Sequence, residues 1–270
     1  MSGFLESMER SSRRRLDEAR MARPLDSVIK DALAAPPPRN LGSFDEVFDL
    51  IAEIKPRSPA EGELDRTQLV ERAAAYQVGG AGMLSVLTEP DAFGGSLELL
   101  DAVANEAVVP VLRKDFLVDP YQVFESRSAG ADGVLIIARI LSDRAMAALL
   151  DAVEQTGMFA LLEAFDAPDL SRIMSVAEVP GRLLVGVNCR DLETLRFEPA
   201  RHTELAGSFP GPVPAVAESG IVGPEDIRRV AALGYRGALV GSALMRSDDP
   251  AELVRAMLAS GRETVKVAAS

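Results

Sequence analysis

Residues 132–165, DGVLIIARILSDRAMAALLDAVEQTGMFALLEAF, hold an apolar run of strand length (Gly133–Ala138), a stretch of helical period opened by a serine (Ser142–Gln155) and a second apolar run (Phe159–Ala164). Both runs are apolar at consecutive rather than alternate positions, as expected of strands covered on two faces. A helix between two such strands makes a parallel crossover unit. Read outward, the same alternation begins near Phe48 and continues almost to the end of the chain. Further strands are expected over Phe48–Lys55, Met83–Thr88, Pro110–Phe116, Leu183–Asn188, Ala215–Ser219 and Ala238–Gly241, making eight. Helices are expected over Asp65–Gln77, Ser96–Asn105, Pro120–Ser128, Ala167–Val176 and Pro224–Ala232; several of them open on Asp, Ser or Pro. The turns GGAG before Met83, AGADG before Val134 and LGYRG before Ala238 supply glycine where a helix must end.

Eight such units describe either a closed barrel or a large open doubly wound sheet. A spacing of about thirty residues per unit favours the barrel. So does the absence of a Gly-rich dinucleotide fingerprint after the first strand. The expected fold is α/β: a (β/α)8 TIM barrel over residues 48–270, with an N-terminal helical extension over 1–47 packing on it. The extension carries Arg10, Arg13, Arg14, Arg15, Arg20 and Arg23, and Pro36, Pro37 and Pro38 end its helical character. With Glu and Asp interspersed, it reads as a solvated amphipathic helix rather than a phosphate-binding arm.

Composition bounds the chemistry. Lys+Arg 29 against Asp+Glu 41 gives a net charge of −12, with one His, one Cys and no Trp. One His and one Cys cannot build a metal site of those ligands or an internal disulfide, so any metal would have to be held by oxygens. The start of the chain has no apolar stretch of signal-peptide kind, and runs such as GVLIIA are too short to cross a bilayer. A soluble cytoplasmic protein without a membrane partner is expected. The acidic balance argues against nucleic-acid binding, which depends on cations neutralising phosphates.

Charged residues and one amide stand where barrel strands should be apolar, and always at the strand's C-terminal end: Glu53 and Lys55, Lys114, Glu163, Asn188 and Glu218. That face holds the active site of (β/α)8 enzymes. Glu53 and Lys55, two apart, project to the same side. Carboxylates and ammoniums converging on one mouth compensate each other's burial and tune each other for acid-base work, although a structural ion-pair network is the alternative. Ser219-Gly220 and Gly241-Ser242 follow the last two strands, where glycine turns commonly hold a phosphate. Arg57, Ser58 and Arg190 are candidate donors to an anion. Cys189 has no histidine placed to activate it, and His202 lies away from the strand ends as a surface or packing residue. Phe93 and Phe116 are either local packing or the wall of an aromatic-substrate pocket.

The strings IAEIKPRSP, LSVLTEPDAFGGS, VPVLRKDF, ADGVLIIARIL, GVNCRDLETL, AVAESGI and GALVGSALMR, in this order over residues 48–258, resemble the indole-3-glycerol-phosphate synthase family of tryptophan biosynthesis. The resemblance implies a cofactor-free carboxy-lyase. Its reaction is the decarboxylating ring closure of 1-(2-carboxyphenylamino)-1-deoxyribulose 5-phosphate to indole-3-glycerol phosphate, carbon dioxide and water. By the same resemblance Lys114 is the general acid at the ribulose carbonyl, Glu163 its partner, and Glu53 with Lys55 the pair for dehydration. Asn188 and Glu218 orient the sugar, while Ser58 and Arg190 bind substrate. Ser219, Gly220, Gly241 and Ser242 cradle the phosphate, and Phe93, Phe116, Leu135 and Ile137 wall the aryl ring. The implied partner is the small phosphorylated anthranilate-ribulose substrate, with the chain a monomer or weak self-associate. A paralogue using a modified anthranilate and a non-catalytic phosphosugar-binding barrel are the alternatives; the second predicts eroded acid-base residues, and none is replaced here.

Overall fold

The computed structural model describes residues 3–42, 44, 46–58, 62–63, 65–176, 182–191, 196–209 and 213–268, with the side chains of Ser58, Gly62, Glu63 and Ala268 outside that description. Two helices come first, α1 (Phe4–Ala22) and α2 (Leu25–Ala34). Eight parallel strands then close into a barrel: β1 (Asp49–Ile54), β2 (Met83–Leu87), β3 (Val111–Lys114), β4 (Gly133–Ile137), β5 (Phe159–Ala164), β6 (Leu183–Asn188), β7 (Ala215–Glu218) and β8 (Gly237–Val240). Each pairs with its sequence neighbour, and β8 pairs with β1. The expected strands all form, shorter by a residue or two at several ends.

Outside the barrel lie α3 (Arg66–Val78), α4 (Leu97–Glu106), α5 (Pro120–Ser128), α6 (Asp143–Thr156), α7 (Ala167–Val176), α8 (Arg201–Leu205), α9 (Pro224–Ala232), α10 (Ser242–Met245) and α11 (Pro250–Ala268). Their starts are chemically specified. Asp65 and Gln68 form a reciprocal capping box on α3, and Ser96, Asp119 and Ser142 accept backbone N–H groups at the starts of α4, α5 and α6. The extension differs from the expected single helix: Pro24 breaks it in two, and its fixed φ suits the residue that caps α2. A two-stranded antiparallel hairpin, Arg57–Ser58 with Gly62–Glu63, follows β1 and has no counterpart in the sequence reading.

Strand alternation sorts the side chains into two cores. Leu50, Ala52, Ile54, Val134, Ile136, Leu162 and Val185 face the helices and join the larger apolar cluster. Ile51, Met83, Leu112, Leu135, Phe159, Leu161, Leu184, Val216 and Leu239 fill the barrel interior. Room inside is made by glycine: a Cβ on Gly133 would lie 2.2 Å from the Phe159 ring, and one on Gly237 would lie 2.8 Å from Phe44. The two rings thus plug the interior toward the N-terminal ends of the strands. Among the described residues no helix is long and apolar enough to cross a membrane. Phe159→Ala should empty this plug and cost about 3–5 kcal/mol, read as a lower unfolding midpoint in urea, whereas an unchanged midpoint would show that the interior collapses to fill the hole.

Candidate active site

The inward positions that are apolar low in the barrel turn polar at its C-terminal rim. They open into a cavity of about 540 Å³ lined by Glu53, Lys55, Lys114, Glu163, Asn188 and Glu218. Register explains the convergence: Asn188 sits opposite Glu218, and Glu163 opposite Ile137. Lys114 Nζ stands 3.6 Å from Glu163 Oε2 and 3.7 Å from Glu218 Oε2. The side chains of both glutamates are essentially without solvent exposure, at 0% and 1%. Burial works against the Lys114 charge, but Glu163, Glu218 and Glu53 outweigh it and lift the ammonium pKa above its ordinary value. Burial and the neighbouring Glu163 push the Glu218 carboxyl well above the usual carboxylate range, against the pull of Lys114. None of the four carboxyl oxygens of Glu163 and Glu218 has a hydrogen-bond partner among the described residues, so all four are buried polar atoms open to further bonding in the cavity.

Two glycines make this crowding possible. A Cβ on Gly186 of β6 would lie 1.9 Å from Glu218 Oε1, and one on Gly241 would lie 2.3 Å from Glu53 Oε1 and 2.5 Å from Lys55 Cε. Glu53 and Lys55 pair at 2.9 Å, and Lys55 Nζ also donates to Ser242 Oγ at 3.3 Å, linking the acid-base cluster to the glycine turn after β8. Beyond β7, Ser219 has φ 65°, the one non-glycine residue among those described with positive φ, and Gly220 follows at φ 71°. A strained residue of this kind needs its surroundings to hold it. Here Ser219 Oγ donates to Asn188 Oδ1 at 2.8 Å, and the Arg190 N–H donates to the same oxygen at 2.9 Å. With that oxygen engaged twice, Asn188 offers the cavity its NH2 group.

The opposite wall is apolar: Phe93, Phe116, Leu135 and Ile137 all line the cavity, and Arg190 stands at its edge. Phe93 is set by the fully buried Glu89, whose carboxylate accepts three backbone N–H groups of the short helix Pro90–Phe93. Of the expected site residues, the structure brings all of these together with Ser219, Gly220, Gly241 and Ser242; Ser58 lies in the hairpin after β1, and its side chain is outside the described residues. Cys189 is buried, and burial lifts its thiol pKa to about 11, which leaves it without thiolate character. His202 is a packing residue, buried behind β7 with Nε2 3.2 Å from the Glu218 carbonyl oxygen; burial pushes its pKa down to about 4. Among the described residues no group of three or more His, Cys, Asp or Glu could hold a metal ion.

Sequence reasoning missed several contributors, among them Gly186, Phe197 and Asp115. Gly186 interrupts LVGVN, and a glycine inside a buried strand is itself a sign of close approach. Phe197 lies across from Arg190 in an isolated antiparallel bridge, and its ring lies where a Cβ on Gly220 would be 1.9 Å away. Asp115 belongs to the cavity lining although its side chain bonds outward. Phe197 meets Gly220 only in the folded chain, whereas Asp115 adjoins Lys114 in the sequence.

Ionisable groups gathered inside the C-terminal mouth of a closed parallel barrel, beneath strained and glycine-bearing turns, define a (β/α)8 barrel enzyme. The family model of "Indole-3-glycerol phosphate synthase" matches residues 5–257. The chain is 42% identical over 241 residues to the indole-3-glycerol phosphate synthase of Saccharopolyspora erythraea, covering 88% of each chain. It is 40% identical over 252 residues to that of Rhodococcus jostii, covering 92% of each. The chain belongs to the indole-3-glycerol phosphate synthase family. Among solved structures, 3-hexulose-6-phosphate synthase from Salmonella typhimurium superposes with a TM-score of 0.64 at 16% identity, over 80% of this chain and all of that one. Phosphoribosylanthranilate isomerase from Thermotoga maritima does so with a TM-score of 0.57 at 12% identity, over the same shares. These two likenesses speak for the fold alone.

Glu218 makes a pH-dependent stability prediction. Below the ordinary glutamate value of about 4.3 both folded and unfolded chains hold its proton. As the pH rises through that value, the unfolded chain sheds a proton that folded Glu218 keeps, so stability falls until the raised folded value is passed. Glu218→Gln should therefore melt about 2–4 °C higher than the parent at pH 8, with the advantage shrinking toward pH 4.5. A calorimetric difference that is flat with pH would refute the raised pKa.

Proposed function

We propose that the chain is an active indole-3-glycerol phosphate synthase that closes 1-(2-carboxyphenylamino)-1-deoxyribulose 5-phosphate to indole-3-glycerol phosphate with loss of carbon dioxide and water. The observation that carries this reading is the Lys114 ammonium, held between two fully buried carboxylates and sharing one cavity with an aromatic wall and two glycine turns. The phosphate lies against the backbone at Ser219, Gly220 and Gly241, with Ser242 and Lys55 as further donors. The aryl ring lies between Phe93, Phe116, Leu135 and Ile137. Ser58 and Arg190 complete the contacts to the anionic substrate. Fixing both ends of the substrate brings the ring carbon that bears the carboxylate against the ribulose carbonyl carbon.

In the first step that ring carbon bonds to the carbonyl carbon, and the carbonyl π pair moves to oxygen, which takes a proton from Lys114 Nζ. A group whose pKa is raised stays charged at neutral pH and stabilises the developing alkoxide before it transfers the proton. The bond to the carboxylate then breaks, carbon dioxide leaves, and the pair returns to the ring. Glu163, the partner of Lys114, assists the proton movements. In the last step the new hydroxyl leaves as water with a proton from the Glu53–Lys55 pair, and the carbon next to nitrogen gives up a proton to the same pair, which restores it and completes the indole. Asn188 and Glu218 hold the sugar hydroxyls; a protonated Glu218 can donate as well as accept. No step calls for a metal or a cofactor. One chain lines the whole cavity, so the site needs no second subunit; the chain is a monomer or a weak self-associate and acts in the cytoplasm.

Incubating the protein with this substrate should produce indole fluorescence, and absence of product with substrate shown to bind would sink the reading. Lys114→Ala should lower kcat by about 10²–10⁴-fold with an unchanged circular-dichroism spectrum. Near-parental turnover would remove Lys114 from its role.

A further inference from the structure

We propose that the Arg15–Asp115 ion pair is a positioning device for the reaction, through which helix α1 holds in place the segment carrying Lys114 and Phe116. This rests on Lys114 being the acid of the proposed reaction. In the run Arg113-Lys114-Asp115-Phe116 the side chains alternate, so Lys114 enters the mouth while Arg113 and Asp115 lie together on the outer side, 3.0 Å apart. Both outer residues are locked. Arg113, 2% exposed, donates to Thr88 Oγ1 at 3.0 Å, Glu125 Oε2 at 2.9 Å and Ser126 Oγ at 3.1 Å. Asp115 accepts from Thr88 Oγ1 at 2.8 Å and from the backbone N–H of Phe116 at 2.8 Å. Locking the residues before and after Lys114 leaves its backbone one orientation and aims the ammonium between Glu163 and Glu218.

One partner of this network comes from outside the barrel. Arg15, on α1, grips Asp115 with both guanidinium arms, at 3.0 and 2.8 Å. The bidentate geometry fixes direction as well as distance. The same helix sets its Phe4 ring edge-on against Phe93 and Phe116, with centroids 6.4 and 6.2 Å apart, and buries Leu5 and Met8 in the apolar cluster that holds Phe116 and Ile137. Asp115 thus stands between the acid and the aryl wall, and its orientation is shared between β3 and α1. Stability alone is a poor reason for the pair. Arg15 Nε is buried with no partner among the described residues, and a buried ion pair of this kind is matched or bettered in stability by apolar packing. What the pair does supply is a fixed geometry next to the acid.

The test compares Arg15→Ala with Arg20→Ala, which severs another ion pair between α1 and the barrel, to Asp119 at 2.7 Å, without touching the neighbours of Lys114. Arg15→Ala should lower kcat about 10- to 100-fold with KM within about twofold. Arg15→Lys should recover part of the loss, and Arg20→Ala should leave kcat within about twofold of the parent. A second readout does not depend on turnover: the amide NMR signals of Lys114 and Phe116 should shift and broaden in Arg15→Ala and stay in place in Arg20→Ala. Unperturbed signals, a loss confined to KM, or a fall in melting temperature with kcat preserved would each overturn the proposal. A parent protein without turnover would instead overturn the functional reading, and the NMR comparison would still decide the positioning role.

Discussion

Lys114 is an ammonium largely withdrawn from water, with 16% of its side chain exposed, and stands within 4 Å of two buried carboxyl groups. Neither side could be buried alone, since an unpaired charge in a strand-lined interior costs several kcal/mol. The mouth sets Lys55 and Lys114 against Glu53, Glu163 and Glu218, and Asp115, Arg190, Asp226 and Arg246 also belong to its lining. Glu218 is the group whose pKa rises well above its ordinary range, pushed by burial and by the neighbouring Glu163. Much of the surrounding structure follows from keeping these groups close. Gly186 leaves space for Glu218, Gly241 leaves space for Glu53 and Lys55, and the barrel below is packed with Phe159, Phe44 and branched side chains that exclude water.

The site is built from two kinds of wall. The polar side comes from the ends of β1, β3, β5, β6 and β7, where regular hydrogen bonding sets side-chain positions closely. The apolar side takes Leu135 and Ile137 from β4, but Phe93 and Phe116 from the connections after β2 and β3, which have no sheet to hold them. Those connections are fixed by other means: Glu89 gathers the N–H groups of Pro90–Phe93, and Asp115 holds the Phe116 N–H while gripped by Arg113 and Arg15. Helix α1 closes against this weaker side. Its Ser11 and Arg14 bond to Asp91 at 2.6 and 2.9 Å, so the extension braces the Phe93 segment as well as the Phe116 segment.

Much of this was legible in the residues. Strand ends bearing Glu53, Lys55, Lys114, Glu163, Asn188 and Glu218 could be read because a charge closing an apolar run is a local signal, and the C-terminal rim is where a barrel tolerates it. The glycine turns at Ser219-Gly220 and Gly241-Ser242 were visible for the same reason. The extension was read as a solvated amphipathic helix, which holds for Arg10 and Arg13, paired with Glu6 and Glu9 one turn away. It fails for Arg15, because helical periodicity reports that a face is polar and not what that face meets. The partner of Arg15 lies 100 residues on, at Asp115.

By itself the sequence determined the order of elements, the closure into a barrel and the side on which the chemistry sits, because apolar runs, caps and alternation act over a few residues. Only the tertiary structure decided which carboxyl group has its pKa raised, how the backbone at Ser219 is strained to meet Asn188, and that an arginine of the first helix reaches the residue beside Lys114. Each of these depends on distances between strands or helices that meet only when the chain is folded. Burial and charge pairing are properties of that meeting, not of any single stretch of sequence.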